Sequence, residues 1–256
     1  MYLPKKERVA IYVVSHKPFT IPTDDGLYIP LMVGNKQDEI YSELLCDQYG
    51  DSIAEKNLRY NELTGLYWIW KNSNAEIVGI CHYRRYFVTP VGKMLNLLLS
   101  KLIGVNKKWL INSDYILKAC KKNDIILHNK TVFISGNKNS LMKMIDYKVI
   151  ELAEVVMREM YPEYLSVYFK IINGKKAHLL NIMICKKKWL DKYCEWIFPL
   201  LFEIEKRLDI NYPNELFSRS MGALAERFLD IWVMKNHLSV KECFTINTEK
   251  IDWKIW

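Results

Sequence analysis

The stretch Glu76-Ile-Val-Gly-Ile-Cys-His-Tyr-Arg-Arg-Tyr-Phe87 constrains the fold of this chain more than any other. From Ile77 to Cys81 it carries no polar side chain. A half-exposed strand alternates; a run without alternation suits a strand covered on both faces, as in a parallel sheet. The run passes without a break into His82, Tyr83, Arg84, Arg85 and Tyr86, at the expected carboxyl end of that strand. In open α/β sheets, ligands bind outside the carboxyl ends of the strands. Two fixed cations at such a place suit an anionic ligand. If the chain stays extended, His82, Arg84 and Tyr86 face one way and Tyr83, Arg85 and Phe87 the other. One guanidinium then serves the ligand while the other braces the site. The competing reading pairs both arginines with structural carboxylates and places the aromatics in the core.

A second strand end has the same character. Arg8-Val-Ala-Ile-Tyr-Val-Val14 predicts a buried first strand, and Ser15-His16-Lys17-Pro18-Phe19 follows it. Pro18 forbids a simple helical continuation. This end reads as a nucleotide or diphosphate pocket, or as an ordinary strand exit; two such ends in one chain favour the pocket. Asp24-Asp25-Gly26 signals a turn, and Tyr28 to Val33 predicts a short strand that Pro30 keeps at an edge. Ser52 and Glu55 have the spacing of a capping box. Tyr60 to Asn72 predicts an amphipathic helix with Leu63, Leu66, Tyr67 and Trp70 inward. Asn61 and Glu62 fall in its first turns, near the expected crevice.

The second half is richer in helix. A capped helix is predicted over Asn112–Asn123, a strand over Asp124–His128, and helix over most of Ser140–Ile172 with a break at Pro162. Lys175 to Cys185 contains a further buried strand, with His178 and Asn181 near its start. A buried amide there must find partners, either a sugar hydroxyl or backbone. Two periodic helices follow, Trp189–Leu208 and Glu215–Lys235. Glu226 and Arg227 interrupt the apolar pattern of the second, whereas Glu203, Glu205, Lys206 and Arg207 read as a solvated face of the first. The tail from Val240 predicts an edge strand, and Asp252 to Trp256 docks on the fold or touches lipid.

Bulk properties narrow the function. Half of the 256 residues are apolar, which suits a packed core, and the net charge of +8 suits anionic partners. Six cysteines without a Cys-x-x-Cys pair read as free buried thiols in a reducing compartment. The first residues lack the pattern of a signal peptide, and no run reaches transmembrane length, so a cytoplasmic protein is expected. Leucine-rich Lys93–Ile103, followed by Lys107, Lys108 and Trp109, suggests peripheral contact with an anionic membrane through 93–111. The competing reading is a helix packed on the domain. There is no Gly-rich phosphate loop, no Gly-x-Ser-x-Gly elbow, no zinc-site histidine spacing and no Asp-x-Asp triplet. What remains is cationic strand ends, an acid on a nearby helix and many aromatics. That set fits a diphosphate leaving group neutralised by Arg, Lys or His rather than by a resident metal.

The blocks Ile11 to Phe19, Glu55-Lys-Asn57, Glu62 to Asn72 and His82-Tyr-Arg-Arg-Tyr-Phe87 resemble a bacterial family from capsule, exopolysaccharide and O-antigen loci. Its members are labelled glycosyltransferase-like or capsular polysaccharide synthesis proteins, and their domain was long of unknown function. Asn181-Ile-Met-Ile184, Tyr193-Cys-Glu-Trp196 and Ala225-Glu-Arg-Phe228 extend the resemblance over roughly Arg8 to Glu242. It implies an α/β, GT-A-like, Rossmann-type fold: a mostly parallel sheet flanked by helices, with a helical C-terminal part. One domain over 1–256 is expected, with a nucleotide-binding half at 1–135 and an acceptor-side half at 136–256. The implied reaction moves a hexose, galactose in furanose or pyranose form, from a UDP-sugar to a lipid-linked oligosaccharide at the inner membrane face. Ser15, His16, Lys17, Lys56, Asn57, Asn61, Glu62 and Tyr83 are then expected at the nucleotide sugar. His82, Arg84 and Arg85 face the departing diphosphate, and Glu226 is the candidate base. His178, Asn181 and Arg227 are expected on the acceptor side. No cofactor and no nucleic-acid partner are expected, though a lone carboxylate and the diphosphate together can hold a divalent cation. One departure stands out: Ser135-Gly-Asn-Lys-Asn-Ser-Leu-Met142 lacks the histidine expected there, which bears on acceptor choice. Two alternatives remain at this stage: a non-catalytic module for an anionic partner, and a capsule-assembly protein with a decayed site.

Overall fold

The computed structural model describes residues 8–17, 19, 26–34, 45–95 and 107–248. The expectations on Pro18, on Asp24–Asp25, on 96–106 and on the tail beyond 248 lie outside these residues.

Strand β1 (Val9–Ser15) is buried at every position. It pairs in parallel with β2 (Tyr28–Met32) on one side and β3 (Ile77–His82) on the other. Residues of β1 go alternately to two apolar layers. Ala10, Tyr12 and Val14 join the helical layer; Val9, Ile11 and Val13 meet Trp109, Leu110, Ile116 and Cys120 on the opposite face. This double cover explains why the strands read as apolar runs. β2 lies at the edge, as Pro30 requires.

Beyond β3 the sheet is mixed, not mostly parallel. The chain turns back at Tyr83-Arg84, and β4 (Arg85–Val88) runs antiparallel to β3, with Arg85 opposite His82. The extended alternation expected for His82 to Phe87 is therefore replaced by a hairpin. β5 (Ile125–His128) and β8 (Met183–Lys186) are antiparallel to each other, and β8 is antiparallel to β3. A small pair, β6 (Thr131–Val132) and β7 (Lys176–Ala177), stands apart. β9 (Val240–Asn247) is no edge strand: it lies between β4, antiparallel, and β5, parallel. Lys241, Glu242 and Phe244 are exposed on β9 although the strand is flanked on both sides, and this exposed, polar start made it resemble an edge.

Helix α1 (Asn57–Tyr60) is a single turn, and α2 (Leu63–Asn72) follows after a break at Asn61, whose φ is 50°. The expected capping box does not form. The Ser52 hydroxyl instead accepts from the Ala54 N–H at 3.0 Å and donates to the Asp47 carbonyl. Helices α3 (Ser113–Lys122), capped by Asn112, α4 (Asn137–Met142), α5 (Tyr147–Met160) and α6 (Leu165–Ile172) follow. The helical layer ends with α7 (Lys187–Asn211) and α8 (Ser220–Lys235). Glu205 on α7 is not part of a solvated face; it is buried and receives Lys56 Nζ at 2.8 Å and the Tyr60 hydroxyl at 3.1 Å. All six cysteines are free and buried. Trp109 is buried in the core beside Leu110 and Ile111, away from any surface it was expected to offer a membrane. Among the described residues, no helix is long and apolar enough to cross a membrane.

Candidate active site

The carboxyl ends of β1 and β3 lie side by side, with Val14 opposite His82, and a cleft of about 360 Å³ opens beyond them. Ser15 and His16 continue β1 into one wall. The β3–β4 hairpin supplies His82, Tyr83, Arg84 and Arg85. The corner between α1 and α2 adds Asn57, Asn61 and Glu62, and the C-terminal half closes the cleft with Leu180, Arg219 and Glu226.

The corner exists because two helices approach closely. A Cβ on Gly222 of α8 would come within 3.1 Å of Asn61 Nδ2 and 3.2 Å of the Tyr60 carbonyl. The Asn57 amide ties the corner together, donating to the Asn61 carbonyl at 2.8 Å and to Thr64 Oγ1 at 3.0 Å. Four non-glycine residues at or behind this cleft take left-handed φ: Asn61 (50°), Leu180 (73°), Asn181 (49°) and Arg219 (61°). Such conformations cost about 1–3 kcal/mol each and cluster where structure serves a site.

The charges are unusual for so small a space. Burial, reinforced by the Arg84 and Arg85 guanidiniums, presses His82 down to about 3, so its imidazole is neutral at physiological pH. Its Nε2 is buried and has no hydrogen-bond partner among the described residues. Burial raises both carboxylates. It lifts Glu226 to about 7 against the pull of Arg227, and neighbouring Glu62 lifts it further. Glu62 rises by burial too, opposed by the Asn181 amide, Arg219 and Arg84. Glu226 Oε2 receives Arg227 Nη1 at 2.6 Å and Oε1 receives the Leu180 N–H at 3.0 Å. Asn181 Nδ2 donates to Glu62 Oε1 at 2.7 Å and to the Gly222 carbonyl at 2.8 Å. At the rim, the Tyr83 ring stands 5.6 Å from His16 and 6.1 Å from Phe19, with Lys17 Nζ 5.0 Å above it.

The structure thus brings Ser15, His16, Asn57, Asn61, Glu62, His82, Tyr83, Arg84, Arg85 and Glu226 to one cleft. Five expected residues do not line it. Lys17 is exposed beside Tyr83, and Lys56 is committed to Glu205. Asn181, His178 and Arg227 are buried behind the wall. Arg227 is wholly enclosed, reaching Ser140 Oγ at 3.3 Å, so the 135–142 segment backs Glu226 through Arg227. Sequence reasoning missed Arg219 and Leu180, which carry no local signal. It also missed Asp230, whose spacing of four from Glu226 on an apolar helix was a usable sign. Among the described residues, no group of three or more His, Cys, Asp or Glu side chains is placed to hold a metal ion.

A family model described as "Domain of unknown function (DUF4422)" matches residues 10–237. No curated protein matches the chain. Among solved structures, the chain is similar to the apo structure of the bifunctional glycosyltransferase WbbM, with a TM-score of 0.74 and 25% identity. The match covers 96% of this chain and 46% of that one, so the chain spans about half the length of the structure it matches.

Proposed function

The chain belongs to the DUF4422 family, and from that premise we propose that it is a glycosyltransferase moving a hexose from a UDP-sugar to a glycan acceptor. The carrying observation is one cleft that combines arginines on a β-hairpin with a buried carboxylate, Glu226, and a half-buried one, Glu62, at the carboxyl ends of parallel strands. The fold likeness to a bifunctional glycosyltransferase supports the same reading. In this proposal the hexose is galactose, furanose or pyranose, and the acceptor is a lipid-linked oligosaccharide of capsule, exopolysaccharide or O-antigen synthesis. That acceptor brings the protein to the inner membrane face.

Ser15, His16 and Asn57 hold the nucleotide, and Tyr83 offers a face for the uracil or sugar. The acceptor hydroxyl oxygen attacks the anomeric carbon while the bond from that carbon to the β-phosphate oxygen breaks. The hydroxyl proton passes to the Glu226 carboxylate. The charge left on the diphosphate falls to Arg84 and Arg85, with Arg219 as a third guanidinium. Neutral His82 adds no charge of its own beside the two guanidiniums. A base that titrates near 7 suits proton abstraction at neutral pH.

Thermal stabilisation by UDP, UMP, GDP and UDP-sugars, with and without manganese, tests the proposal. A selective response to UDP and one UDP-sugar is expected. Arg84→Ala and Arg85→Ala should weaken UDP about 10- to 100-fold, the loss of a charge-assisted hydrogen bond. A response only with manganese would keep the transferase but replace the guanidinium reading. Affinity for any polyanion, falling steeply with salt and indifferent to UDP, would make the protein a non-catalytic module.

A further inference from the structure

Residues 178–181 form a segment in which every residue is gripped by a side chain from elsewhere. The His178 N–H donates to Asp230 Oδ2 at 2.8 Å, and its ring Nδ1 meets Asp230 Oδ1 at 2.5 Å. Its Nε2 lies 3.2 Å from Glu242 Oε1. The Leu179 N–H donates to His128 Nε2 at 2.5 Å. The next two residues are the left-handed pair whose Leu180 N–H and Asn181 amide hold Glu226 and Glu62. Asp230 and Glu226 stand one turn apart on α8 and hold backbone N–H groups two residues apart. His178, His128 and Asp230 are all buried, and none of them lines the cleft.

A leucine and an asparagine in succession at positive φ do not hold themselves. We infer that the buried His178–Asp230 pair, steadied by His128 and Glu242, is a positioning unit: it imposes the left-handed turn through which Leu180 and Asn181 set the two cleft carboxylates. His178 then acts through the backbone and not on the acceptor. The inference rests on the reading of Glu226 and Glu62 as the reacting carboxylates, but its geometry can be tested without that reading.

The test is the titration of Glu226 in the full chain, followed by carboxyl-carbon NMR of labelled glutamate, with Glu226→Gln to identify the signal. The charged groups against Glu226 are Arg227 and Glu62; those against His178 are Asp230 and Glu242, with His128 beside it. Asp230→Asn removes a nearby negative charge, which by itself lowers the Glu226 midpoint. Releasing the segment takes the Leu180 N–H from Oε1 and raises it. A rise is expected, and a fall or no change overturns the inference. Should Asp230→Asn fail to fold, Glu242→Gln at the partly exposed end of the cluster carries the same test with the same two signs. In turnover, kcat is expected to drop on the order of 10- to 100-fold with donor KM and melting temperature near wild type. A parallel loss of kcat, UDP affinity and melting temperature would mark a general structural role and overturn it. If the wild type neither binds nor turns over a nucleotide sugar, the proposed function fails, and the Glu226 titration still decides this inference.

Discussion

Glu226 lies in an almost wholly buried helix, and the sequence marked it only as an interruption of an apolar stripe. Its raised titration gives a signed prediction: the base form grows as pH rises through about 7, so kcat/KM should climb over that range and then level. Glu226→Gln should lose most of the activity and the limb together, measured in a pH–rate series. Asp47 gives a second residue-scale test. It is fully buried, accepts from the Gly34 N–H at 3.0 Å, and burial lifts it to about 6. Its folded-state value lies above its unfolded one, so the folded chain holds the proton more tightly, and stability declines as pH rises from about 4 to about 6. Asp47→Asn keeps an oxygen for Gly34 and removes the buried charge. It should stabilise the protein by about 1–2 kcal/mol at pH 7.5 and by little at pH 4, read from urea midpoints.

At the scale of elements, the cleft depends on how closely α2 lies on the sheet. A Cβ on Gly65 would stand 2.7 Å from Val14 Cγ1 and 2.9 Å from Val33 Cγ1. Alanine gains about 1 kcal/mol of helix propensity there, but overpacking costs about 1–3 kcal/mol. Gly65→Ala should therefore lower the melting temperature by a few degrees. Val14 and Val33 also line the cleft, and Glu62 begins the helix, so nucleotide affinity should fall with it. An unchanged melting temperature and affinity would mean that α2 can shift freely. Element positions were largely legible: β1, β2, β3, β5 and α3 fall where apolar runs, Pro30 and the Asn112 cap predict. The break between α1 and α2 was not: the Asn61 carbonyl is bound by the Asn57 amide and the Thr64 hydroxyl while Gly222 lets α8 come close, and no Gly or Pro marks the turn.

At the scale of the molecule, β9 fills the place between β4 and β5 in a sheet that the β3–β8 pairing also links. It pairs with β4, which carries Arg85, and with β5, which carries His128, and its own Glu242 touches His178. A chain ended at Ser239 would leave β4 and β5 without their shared neighbour, exposing backbone groups on both. Such a chain is expected to be insoluble or to lose its cooperative unfolding transition. A soluble, cooperatively folded product that still binds UDP would show that the strand is dispensable.

The sequence alone determined the covered strands, the helical periodicities and the two cationic strand ends, because these follow from side chains within a few positions of one another. Strand direction after His82, the internal place of β9 and the burial of Glu205 were decided by tertiary structure, because each depends on which distant surface comes to lie alongside. The same holds for the site. Its cations stand in a local motif, whereas its carboxylates come together only in the fold, where burial raises both and the proximity of Glu62 raises Glu226 further.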